Sequence, residues 1–67
     1  MNIHQDCYNR VIELLECHGK LTIEEIVHKL FFYGFKSKTI LDVLEYLYEN
    51  PMIEYDTNLG TISFIEV

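Results

Sequence analysis

Leu21-Thr22-Ile23-Glu24-Glu25-Ile26-Val27-His28-Lys29-Leu30 decides how the rest of the chain is read. Thr22 followed three residues later by Glu25 forms a capping box. The threonine oxygen accepts from a free N–H of the first turn, and the glutamate reaches back to the threonine's own N–H. Ile23, Ile26, Val27 and Leu30 then recur at the spacing of one helical face. The pattern predicts a helix over residues 22–33, closed by Gly34, with Phe35 placed to fold back onto the last turn. Phe32 falls on the side away from the core stripe, and His28 on the solvent side.

A helix marked so clearly frames its neighbours. Upstream, Cys7, Val11, Leu14, Leu15 and His18 share one face of a helix expected over residues 3–18, which Gly19 ends. Tyr8 and Ile12 widen that apolar arc beyond one core contact. The widened stripe either packs under the C-terminal strand or joins Phe32 as the face of a homodimer. Downstream, Ser37 is a favoured N-cap for a third helix over residues 37–50. Ile40, Val43, Leu44 and Leu47 are its core face, with Leu41 and Tyr48 flanking. Pro51 stops it at Asn50. Residues 52–56 and 61–66 are rich in β-branched and aromatic side chains, and Thr57-Asn58-Leu59-Gly60 between them is turn chemistry. They predict an antiparallel hairpin in which Ile53 and Tyr55, and Ile62 and Phe64, share faces.

Helix, glycine, a leucine before a capped helix, a short turn, a third helix and a hairpin form an ordered signature. It resembles the winged helix-turn-helix superfamily over residues 3–67, most closely at Leu21–Leu30, at Lys36–Leu47 and in the hairpin. The resemblance implies an α+β fold, a winged helix of three helices followed by a C-terminal β-hairpin wing, in a single domain over residues 1–67. It also implies that the third helix and the wing carry the working surface, with Lys36, Ser37, Lys38, Thr39, Asp42, Glu45, Tyr46 and Glu49 as the candidate reading residues. Helical spacing independently sets Lys38, Asp42, Glu45 and Glu49 on one exposed stripe.

Charge weighs against nucleic acid as the target of that surface. Eleven acidic residues against five basic ones leave a formal charge of −6, which repels a polyanion at long range. Two lysines face three carboxylates over residues 36–49, and residues 50–67 hold Glu54, Asp56 and Glu66 with no lysine or arginine. Such a wing lacks the cations that phosphate contacts need. The amino-terminal residues of a recognition helix make most base contacts, however, so Lys36, Ser37, Lys38 and Thr39 are the expected DNA-binding group if the chain works as a homodimeric regulator.

Other chemistries find little support. His4 with Cys7 and Cys17 with His18 are zinc-type pairs, but they sit at opposite ends of one helix, too far apart for bonds of about 2 Å to converge. Cys7 and Cys17 are about 15 Å apart along that helix, beyond the roughly 7 Å a disulfide spans. No nucleophile elbow, phosphate-binding loop or HExxH pattern occurs. A 67-residue chain also has little room for a pocket of about 300 Å³ or more. Neither catalysis nor a cofactor or metal is therefore expected. The longest uncharged apolar stretch, Leu30–Phe35, is far short of a membrane span of about 20 residues, so a cytoplasmic protein without a membrane partner is expected. Because the chain ends at the second wing strand, no separate sensor or effector domain is expected. The leading expectation is an acidic adaptor or inhibitor of a nucleic-acid-handling machine, a build similar to that of small virus-encoded regulators. It would meet a basic protein surface through Asp42, Glu45, Tyr46 and Glu49. The alternative is the homodimeric DNA-binding transcriptional regulator.

Overall fold

The structure, a computed structural model, describes residues 2–65. Along the chain it forms α1 (Ile3–His18), β1 (Lys20–Thr22), α2 (Ile23–Phe32), α3 (Ser37–Glu49), β2 (Ile53–Asp56) and β3 (Thr61–Phe64). The architecture is α+β: three helices and a small antiparallel sheet of order β1-β3-β2.

Local chemistry explains most boundaries. Asn2 caps α1, its side-chain oxygen accepting from the N–H groups of His4 and Gln5. At the start of α2 the capping box is complete: Glu25 N–H donates to Thr22 Oγ1 (3.1 Å) and Thr22 N–H to Glu25 Oε1 (3.2 Å). Its end is a Schellman motif around Gly34 at φ +95°, with Phe35 N–H donating to the Leu30 carbonyl (3.1 Å) and Gly34 N–H to that of Phe31 (2.9 Å). This 6→1 bond holds half-buried Phe35 against the core.

Three expectations need correction. Ser37 does not cap α3: the first helical bond, from Ile40 N–H, ends on the Lys36 carbonyl, so extended Lys36 is the cap and gives no side-chain hydrogen bond. His18, expected on the core face of α1, is exposed because the helix ends there and the chain turns away at Gly19. A third strand, β1, exists where the sequence shows only a leucine before a capped helix. Leu21 pairs with Ile62, and both are buried. The hairpin itself forms as expected, with Ile53 opposite Phe64 and Tyr55 opposite Ile62. The second strand ends at Phe64, and the expected extension at Glu66 lies outside the described residues.

The core draws Cys7, Val11, Leu14 and Leu15 from α1, Ile26 and Leu30 from α2, and Ile40, Val43, Leu44 and Leu47 from α3, closed by Leu21 and Ile62. Ile23 and Val27 are only partly buried at its edge. Truncating one of the fully buried leucines to alanine costs about 2–5 kcal/mol, a large share of the stability such a small domain can hold. The hairpin turn is tied to this body, because Ile23 N–H donates to the Gly60 carbonyl (2.9 Å). The hairpin therefore stands in a fixed position beside α3.

Candidate functional site

The surface built by α3 and the hairpin divides into three parts. At the amino end of α3, Lys36, Ser37 and Lys38 are exposed and Thr39 is half-buried. Lys38 reaches only loosely to Asp42, with Nζ 3.8 Å from Oδ2.

The second part faces α1. Asp42 Oδ2 lies 3.0 Å from His4 Nε2, across the α1–α3 contact, and the Asp42 side chain is one-third exposed. This corrects the sequence reading, which had Asp42 as a free carboxylate on a solvated stripe: it is engaged in holding two helices together. Tyr46 and Glu49, on the same side of α3, remain exposed. They line an open groove of about 440 Å³ with His4, Gln5, Tyr8 and Asn50, which corrects the expectation that so short a chain has little room for a pocket above about 300 Å³. Within it Asn50 Nδ2 donates to Tyr8 Oη (2.6 Å), and Asn50 Oδ1 accepts from Met52 N–H (2.9 Å).

The third part faces the hairpin. Leu41 (62% exposed) and Tyr48 (52%) lie seven residues apart on one side of α3, with exposed Glu45 between them. Tyr48 meets Tyr55 edge to face, with ring centroids 5.3 Å apart. Partial burial pushes the Tyr48 phenol up, and Tyr55 adds to the effect. Both rings line a notch of about 420 Å³ with Leu59 (65% exposed), Gly60, Ile23, Thr22 and Glu24. Sequence reasoning placed Leu41 and Tyr48 as flanks of the core and gave Tyr55 and Leu59 no surface role. The available signal was a helical arc wider than four core residues need.

The residues expected to form a dimer face are not brought together as free surface. Tyr8 and Ile12 are half-buried against the core, because α1 lies close along α3 and the Tyr8 hydroxyl is taken by Asn50. Phe32 is 85% exposed at the end of α2. It stands beside Tyr33 (centroids 6.1 Å apart), over whose ring the Arg10 guanidinium sits at 4.6 Å, with Phe31 also exposed.

Chemical side chains are scattered elsewhere. Cys7 is fully buried, and desolvation raises its thiol pKa; Cys17 is exposed, and both are free. Among the described residues no three His, Cys, Asp or Glu side chains stand together as metal ligands, and no helix is long and apolar enough to cross a membrane. Compared with protein-family models, curated proteins and solved structures, the chain finds no match in any of the three.

Proposed function

We propose that this chain is a small winged-helix binding module rather than an enzyme, an acidic cytoplasmic adaptor or inhibitor that docks on a basic surface of a nucleic-acid-handling protein. Its element order and its three-stranded sheet are compatible with the winged-helix layout. One observation carries the functional reading: beyond Lys38, the exposed face of α3 and the hairpin offers carboxylates, tyrosines and leucines but no cation. Phosphate needs cations there. A basic protein surface is matched by Glu45, Glu49 and Tyr46, with carboxylates steering the encounter and the aromatic ring anchoring it.

Parallel affinity captures on the wild-type chain and on Glu45→Lys and Glu49→Lys test the proposal. A basic partner held by the wild type should be lost or weakened by both charge reversals, chiefly through slower association. Duplex DNA that binds the wild-type chain, and binds Glu45→Lys more tightly, overturns it. That result would favour the second reading, a DNA-binding homodimer acting through Lys36, Ser37, Lys38 and Thr39. The observation in its favour is that Lys36 and Lys38 stand exposed at the helix end where base contacts concentrate.

A further inference from the structure

We infer that the strip from Leu41 over Tyr48 and Tyr55 to Leu59 seats a short segment of a partner protein whose aliphatic side chains are flanked by lysine or arginine. The inference rests on the protein-docking reading above and specifies what that docking surface grips.

Leu41 and Tyr48 are separated by about 10 Å along α3. Tyr55 packs on Tyr48, and Leu59 closes the same notch. The four residues keep 41–65% of their surface exposed, and that apolar area is open to a partner. Scattered exposed apolar residues are ordinary, but Tyr48, Tyr55 and Leu59 share one notch with a carboxylate at its edge, and Leu41 extends their side of α3 by two turns. The notch, about 420 Å³, is at the low end of the roughly 300–1,000 Å³ typical of ligand pockets, and suits an anchoring side chain.

The charges select the occupant. Glu24 lines the notch and Glu45 lies between Leu41 and Tyr48, and among the described residues no lysine, arginine or histidine lines the notch. A purely apolar segment would desolvate these carboxylates without compensation. A second copy of the chain carries a net −6 and would bring like charges together. Lysine or arginine beside the aliphatic anchors satisfies both carboxylates. The other aromatic patch, Phe31 to Tyr33, differs in this respect because Arg10 already sits on it.

The test is selection from a displayed library of random 12-residue peptides, followed by affinity measurement on variants. Leu41→Ser and Leu59→Ser alter exposed side chains and leave the core intact; Phe32→Ser serves as the control. The expected consensus pairs aliphatic residues with lysine or arginine. Its affinity should fall at least tenfold on the Leu41→Ser/Leu59→Ser double variant and on Glu45→Lys, and stay unchanged on Phe32→Ser. Basic peptides that depend on Glu45 but ignore both leucines would overturn the apolar seat while leaving the docking reading standing. An acidic consensus, or self-association of the chain through the two leucines, would overturn the assigned occupant. Failure to enrich any peptide, with duplex DNA binding instead through Lys36 and Lys38, would overturn both this inference and the reading beneath it.

Discussion

Thr22 and Glu25 show how much one residue pair settles. The Thr22 N–H, followed by its hydroxyl, donates to the Glu25 carboxylate and holds its pKa below the usual range. Because the folded value is depressed, the stability this group contributes is complete above its unfolded value of about 4.3. It is lost as pH falls through the folded value. Thr22→Ala should therefore lower the unfolding free energy by about 1 kcal/mol at neutral pH, measured by urea denaturation. Glu25→Gln should be less stable than the wild type at pH 7 and draw level with it at acid pH. A wild-type advantage that persists unchanged at low pH would show that the carboxylate plays no part. The cysteines give a second check at this scale. Cys17 is exposed, whereas Cys7 is buried with its thiol pKa raised by desolvation. One thiol should react with a disulfide reagent in the native protein, and the second only at the rate of unfolding. Equal rates for both would contradict the packing of α1.

At the scale of elements, Asn50 joins the end of α3 to both α1 and the hairpin. Its side chain donates to Tyr8 and accepts from Met52 N–H, and its carbonyl accepts from Ile53 N–H (3.1 Å). Tyr8→Phe removes one of these bonds and leaves a half-buried amide donor unpaired, at an expected cost of about 1 kcal/mol. Asn50→Ala removes the side chain's two bonds together and should cost more; equal stabilities in chemical denaturation would contradict this linkage. The helices were legible in the sequence because each repeats its apolar spacing for ten or more residues. β1 was not, since Lys20–Thr22 is too short to show alternation and forms only because β3, about forty residues later, pairs with it. The hairpin was legible, but its turn is organised by Asp56, whose carboxylate accepts from Asn58 and Leu59 N–H groups. Sequence reasoning had assigned that residue to the strand alone. The cap of α3 was misplaced by one residue because Ser37 has the right chemistry but the backbone leaves the Gly34 turn extended at Lys36.

Across the whole molecule, the charge of the candidate surface could be read from the sequence, but its apolar content could not. Leu41 and Tyr48 border the core arc of α3, and only the position of the hairpin decides that their outer sides stay open. Most of the acidity is unrelieved. Among the described residues only two lysine or arginine pairs with carboxylates form, Arg10–Glu13 and Lys38–Asp42, and Asp42 is shared with the His4 ring. Glu45 and Glu49 stand four residues apart, which is repulsive for like charges on a helix. Glu49 also occupies the last turn of α3, where no basic residue lies and the helix dipole disfavours a carboxylate. The molecule is 32 Å long, close to the Debye length of about 30 Å at 0.01 M salt and well above the roughly 8 Å at 0.15 M. Raising salt across that range should therefore raise the melting temperature. Glu49→Lys should raise it as well, through a stability gain of a few tenths of a kcal/mol that is larger at low salt. If these carboxylates are kept for a basic partner, the variant that gains stability must lose that partner. A Glu49→Lys protein that melts lower than wild type would show the carboxylate serving the fold within the α1–α3 groove, and would take from the docking face its electrostatic argument.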